Sequence, residues 1–222
     1  QEEPVVIAKN RLLSFVPGNP GQQTALRVKF FELPAPFDGL NGETMWVGQP
    51  QETCENAGQV TPPPEGCGIA PGLPSLTFIA APLQCDPYYT DWSALGTIHV
   101  YHELIIPGGT YQVQAIDQAC HTVSDGVYSN PLLMTTSLWG DVVSNCITKP
   151  CGPPDGVVGI PTDVTAVLDK FKNLDGAPAK ARADLEPAFP DLLVNIADVT
   201  ETLDAFRGFD YPFSAPASPP CP

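Results

Sequence analysis

Positive charge is scarce in this 222-residue chain: ten lysines and arginines face 25 aspartates and glutamates, for a formal net charge of −15. Nucleic acid and anionic lipid are held by clustered cations, so neither is an expected partner. Long apolar runs are missing too. The stretch from Leu76 to Ala81 stops at Pro82, far short of the ~20 residues that span a bilayer, and no membrane insertion is expected. Catalytic signatures are equally sparse. No G-x-S-x-G elbow, phosphate-cradling glycine loop or H-E-x-x-H helix occurs. His99 and His102 stand three apart in a strand-like run, on opposite faces, where they cannot easily share a metal. The expectation is a chain that is not an enzyme. A glycosidase-like carboxylate pair stays open, since acidic residues are plentiful and nothing singles two of them out.

What the chain does have is proline (27), glycine (19), 43% hydrophobic residues and seven cysteines. That hydrophobic share predicts a folded chain despite the breakers. No two cysteines have C-x-x-C spacing, so disulfides in an oxidising compartment are the better reading. The chain opens on Gln1 without a charged and apolar leader, which fits a mature secreted protein at the cell surface or beyond it. Distance along the chain suggests pairing Cys54 with Cys67, Cys85 with Cys120, and Cys221 with Cys146 or Cys151. One thiol is then left buried, free or bonded to another molecule.

From Arg11 to about Ser144, short apolar or β-branched runs alternate with Pro, Gly and Asn clusters, the pattern of an all-β region. In Thr24 to Leu33, Leu26, Val28 and Phe30 alternate with Arg27 and Lys29, which predicts a half-buried strand. The runs Thr97 to Ile106 and Thr110 to Ile116 flank Pro107-Gly108-Gly109, a hairpin-like break. The stretch IIPGGTYQVQAIDQAC followed by YSNPLLMTTS resembles the last two strands of a fibronectin type III domain. The resemblance implies a β-sandwich with a binding or spacing role, in which Tyr111 sets its ring in the core and its hydroxyl on backbone.

After Cys151 the texture turns helical and repeats. Asp163 to Asp175 (DVTAVLDKFKNLD) matches Asp198 to Asp210 (DVTETLDAFRGFD) at an offset of 35, with 7 of 13 positions identical. Val164, Val167, Leu168 and Phe171, and again Val199, Leu203 and Phe206, form an apolar stripe at helical spacing, so two amphipathic helices should pack together. An acidic loop precedes each. Paired loop-and-helix units of this spacing resemble a type I dockerin, a module with two calcium loops of the EF-hand kind. The resemblance implies calcium at one or both loops, with Asp155 and Asp163 in the first, and Asp191, Asn195 and Asp198 in the second. Asp184 and Glu186 would stand in for Pro187 and Phe189 at the first and third places. The plainer alternative makes Asp163 and Asp198 helix caps only.

The expected fold is therefore mainly β with a small α part: a fibronectin-like β-sandwich with an N-terminal strand over residues 1–147, and a dockerin-like helical pair with a Pro-rich tail over 148–222. The apolar run Val5-Val6-Ile7-Ala8 reads as a strand of its own sheet or as one lent to a neighbouring subunit. Together these features point to a structural subunit that joins copies of itself, with Val164, Phe171, Val199 and Phe206 on its helical contact face. Two alternatives stand beside it: an adaptor that docks on a cohesin-like scaffold, and a polysaccharide binder that stacks sugars on Trp46, Trp92, Tyr88 and Tyr89.

Overall fold

The computed structural model describes residues 5–6, 11–18, 22–55, 77–119, 127–146, 149–216 and 220–221. The chain is mainly β with a small α part. Nine strands lie among these residues: β1 (Val5–Val6), β2 (Leu12–Phe15), β3 (Thr24–Glu32), β4 (Thr44–Val47), β5 (Gln51–Cys54), β6 (Thr77–Gln84), β7 (Ile98–Tyr101), β8 (Thr110–Asp117) and β9 (Leu132–Thr135). The helices α1 (Thr165–Phe171), α2 (Lys180–Ala183) and α3 (Ile196–Phe206) follow.

The strands run in the order β1-β9-β8-β3-β4-β6-β7-β2, with β5 also on β6. Laid flat, β9 and β2 would be about 29 Å apart, six strand spacings of ~4.8 Å. Met134 of β9 and Leu13 of β2 nevertheless belong to one buried cluster with Phe30, Val47, Val100 and Tyr111, so the path is strongly curled. β6 makes the corner. Its first residues pair with β5 and β7 as far as Pro82, and Leu83 and Gln84 then pair with β4. Proline has no N–H for a ladder, which suits it to the point where a strand changes partners. The Pro82 carbonyl instead accepts the Gly48 N–H at 2.7 Å. A Cβ at Gly48 would meet the Pro82 carbonyl oxygen at 3.0 Å and displace the Gln84 amide, 2.6 Å away, so a larger residue would crowd this approach.

Local pattern explains the individual strands. Leu26, Val28 and Phe30 are buried on one face of β3, while Arg27 and Lys29 are half-buried on the other. The run before Pro107 does not form a hairpin with β8: β7 pairs with β2 and β6, and β8 with β3 and β9. Between them the buried Tyr111 hydroxyl donates to the Leu104 carbonyl at 3.0 Å and accepts the Ile106 N–H at 2.7 Å. That pair of bonds fixes the crossing loop and fulfils the expectation for Tyr111. Val5 and Val6, read from the sequence as a strand of their own sheet or as one lent to a neighbouring subunit, pair in parallel with Met134 and Thr135 of their own chain. Ile7 and Ala8 lie outside the described residues.

Two cysteine pairings differ from expectation. Cys85 is bonded to Cys221, closing a separation of 136 residues, and Cys146 to its near neighbour Cys151. Cys221 therefore pins the tail to the end of β6 and not to the helical region, because the tail runs back across the strand core. Cys54 is disulfide-bonded, while Cys67 and Cys120 lie outside the described residues. The disulfides are compatible with an oxidising, extracellular setting. No helix among the described residues is long and apolar enough to cross a membrane.

Candidate functional site

The sequence repeat reappears as a repeated hydrogen-bonding scheme. α3 starts after Asn195, whose Oδ1 accepts the Ala197 N–H at 2.7 Å, and Asp198 in the first turn accepts the Asn195 N–H on Oδ2, also at 2.7 Å. This is a capping box with Asn195, not Asp198, as the cap. Asp198 Oδ1 takes two further N–H groups, from Leu185 at 2.7 Å and Glu186 at 3.0 Å. In the first unit Asp163 does the same work. Its Oδ1 accepts the Val142 and Val143 N–H groups at 2.7 and 2.9 Å, and its Oδ2 accepts the Gly159 N–H and the Thr162 hydroxyl, both at 2.9 Å. Each carboxylate thereby ties a distant upstream segment to the start of its helix.

Behind each stands a second buried aspartate. Asp141 accepts the Asp155 N–H at 3.2 Å and the Gly156 N–H at 2.6 Å, and Asp184 accepts the Leu192 N–H at 2.9 Å. Gly156 and Leu192 occupy matching places and both take left-handed backbone, with φ of 88° and 60°. Asp155 and Asp191 lie exposed and fold back on Val157 and Leu193 two residues on. Sequence reading missed Asp141 because 14 residues separate it from Asp155 against 7 between Asp184 and Asp191, the excess being taken up around the Cys146–Cys151 loop. The shared Asp-aliphatic pairs Asp141-Val142 and Asp184-Leu185 were the available signal.

The electrostatics follow from burial. The Asp141 carboxyl is pushed up to about 6 by burial, with Asp163 and Asp155 adding to it against two backbone N–H bonds. Asp184 is held well above the usual carboxylate range by burial and by Asp198, while Arg11 opposes the rise. Asp198 is raised by burial, against its N–H partners.

Arg11, just before β2, is the second residue the sequence did not reveal. Its side chain is fully buried against the second loop: one nitrogen donates to the Leu185 and Pro187 carbonyls at 2.9 and 2.5 Å, and the other donates to the Ala188 carbonyl. The Phe213 ring centroid lies 5.0 Å from the guanidinium. Further contacts seat the helical region on the strands. Phe189 packs edge-on against Tyr101 and His102, Lys170 pairs with Glu55 at 2.6 Å, and Ala181 and Leu192 pack on Leu12 and Ala80.

A calcium loop needs six to eight oxygen ligands, and the expected set does not fit one here. Each Asp163 oxygen already carries two donors, and Asp198 carries three in all, so the carboxylates closing each loop are saturated or nearly so. Asp191 is exposed, Glu186 and Asn195 are half-buried, and the Pro187 carbonyl is turned to Arg11. Among the described residues no group of three or more His, Cys, Asp or Glu side chains is placed to hold a metal ion.

Of the expected helical contact residues, Val164 is half-buried and Val199 packs on the cluster of Val142, Val143 and Val167. Phe171 and Phe206 are 39% and 43% exposed, so the helix stripes are only partly spent on each other. Trp46 and Trp92 are buried, and Trp92 Nε1 donates to the Thr24 carbonyl at 2.8 Å, so neither offers a ring for sugar stacking. A cavity of about 350 Å3 lies between the Cys146–Cys151 loop and α1, but the cations lining it are engaged: Lys149 with Asp169, and Arg182 with the Gly152 carbonyl at 3.1 Å. Compared with protein-family models, curated proteins and solved structures, the chain matches none.

Proposed function

We propose that the protein is a secreted, non-catalytic structural subunit that joins copies of itself. In this reading a fibronectin-like sandwich supplies sheet edges, and a dockerin-like helical repeat supplies the contact face. The observation that carries it is a doubled apolar surface. Ile160 and Ile196 are 46% and 61% exposed, Phe171 and Phe206 39% and 43%, and Leu174 and Phe209 49% and 61%. The members of each pair are 35 or 36 residues apart. Apolar side chains exposed singly are ordinary, but Phe171/Phe206 and Leu174/Phe209 are exposed at matching places of the two units, which supports reading them as a contact surface.

Leu174 and Phe209 illustrate why they stay outside. Each follows a left-handed residue, Asn173 or Gly208, and its N–H bonds back to Asp169 or Asp204 at 2.9 and 3.1 Å, closing the helix in a Schellman turn. The apolar residue of such a turn frequently packs on the helical residue it bonds to. Here that residue is an aspartate, and Leu174 and Phe209 remain 49% and 61% exposed.

A second copy is the favoured occupant because the same chain offers strand edges that no described strand covers, β5 beyond β6 and β1 beyond β9. Face-to-edge contact of this kind is heterologous and propagates into a filament. The firm seating of the helical repeat on the strands would carry such a joint from one subunit to the next. Electron microscopy of the full, non-reduced chain at micromolar concentration tests the reading. Regular filaments in both calcium and chelator are expected, lost in Phe171→Ser/Phe206→Ser. Dispersed wild-type monomers would overturn it and favour a separate scaffold or a polysaccharide as partner.

A further inference from the structure

We propose that Arg11 is the resident cation of the second loop: the helical repeat contains a guanidinium site made of the Leu185, Pro187 and Ala188 carbonyls and the Phe213 ring, and the chain fills it with its own N-terminal segment. This goes beyond the assembly reading and holds whichever partner the exposed face takes.

Three observations converge. First, three carbonyls from four consecutive residues turn toward one point, an arrangement that is costly inside a protein unless a donor-rich cation stands there. Arg11 supplies two nitrogens to them from 174 to 177 residues away in sequence. Second, the two loops differ where the arginine enters. Both Asp141 oxygens in the first unit accept an N–H, whereas Asp184 Oδ1 in the second is buried with no hydrogen-bond partner among the described residues. The charge of Arg11 acts on this same Asp184 carboxylate. Third, the site has a lid and a brace. Phe213 stacks at 5.0 Å, and Lys180 Nζ holds the Leu192 carbonyl at 2.8 Å. A planar fork matches divergent carbonyls, and a lysine ammonium, a point charge on a flexible stem, would not reproduce it.

With Arg11 seated there the second loop needs no calcium, and the segment before β2 becomes part of the helical repeat. Thermal melts of the full chain test it, in millimolar calcium and in EDTA. Wild type should melt alike in both. Arg11→Ala should lower Tm by about 6–20 °C in either condition, the shift expected for uncoupling one buried charged network in a chain of this size. Millimolar ethylguanidinium, which replaces the deleted atoms, should restore part of that loss, and ethylammonium should not. A Tm unchanged in Arg11→Ala, or one restored by calcium and not by ethylguanidinium, would overturn the proposal. If Arg11→Ala does not fold, Arg11→Lys gives the same decision: a loss of Tm that calcium does not mend supports the site, and a wild-type Tm contradicts it.

Discussion

Replacing Asp163 separates a structural carboxylate from a metal ligand. The Asp163 carboxylate accepts four donors, three backbone N–H groups and one hydroxyl, and the residue is fully buried. A hydrogen bond to a charged group contributes about 1.5–3 kcal/mol, and a buried N–H left alone costs about 1–3 kcal/mol. Such terms do not add fully, and uncoupling a buried charged network costs about 3–5 kcal/mol in total. For a chain of 150–250 residues that corresponds to a Tm loss of roughly 6–20 °C. Asp163→Asn should cost nearly as much as Asp163→Ala, since its amide nitrogen would face N–H and O–H donors in place of an acceptor. Calorimetry in calcium and in EDTA is the assay, and the loss should be equal in both. A variant that keeps the wild-type Tm in EDTA and falls behind only in calcium would restore Asp163 as a metal ligand.

Four other outcomes are expected. Asp141 has a folded pKa raised to about 6, so its acid form is favoured by folding; the stability it adds is full below ~4 and lost as pH rises through about 6. Tm should therefore fall from pH 4.5 to 7, and Asp141→Asn should flatten that slope; a Tm that climbs over this range in wild type contradicts the assignment. Cys85→Ser/Cys221→Ser opens a loop spanning a separation of 136 residues and should cost up to about 5 kcal/mol by loop entropy, checked by denaturant melts, with a protease-sensitive tail as the sign that Cys221 holds it. Leu192→Gly relieves a left-handed leucine, ~1–2 kcal/mol, but deletes a side chain packed on Leu12 and Ala80; since even truncation to alanine costs ~2–5 kcal/mol, urea melts should show net destabilisation. Asn173→Gly, at φ 48°, should be neutral to stabilising by up to about 1 kcal/mol, because the left-handed C-terminal turn already suits glycine; a loss beyond that would mean the Asn173 side chain has an unrecognised role.

The local features were legible because they depend on near neighbours. The alternation in β3 and the Val and Leu periodicity of the repeated helices follow from which face of one element is wet. The repeat also exposed Asp163 and Asp198, though not what they bind, since the N–H groups of Val142 and Leu185 become their partners only after the chain has folded back. Arg11 gave no signal at all. Nothing around Asn10-Arg11-Leu12 distinguishes a buried arginine from a surface one, and its carbonyl partners belong to the other end of the chain. The same distance hid the Cys85–Cys221 pairing and the crossing from β7 to β8, where Pro107-Gly108-Gly109 looks like a tight hairpin and the Tyr111 hydroxyl makes it a passage between different strand neighbours.

In the proposed assembly the helical face meets a strand edge of another copy. The most direct test is a photoreactive benzoylphenylalanine in place of Phe206, with the full chain irradiated at tens of micromolar. Cross-linked dimers and larger ladders are predicted, with the attachment mapped by mass spectrometry to an edge such as Gln51–Cys54 of a second copy. A chain that stays monomeric under irradiation, or cross-links only within itself, would contradict the account.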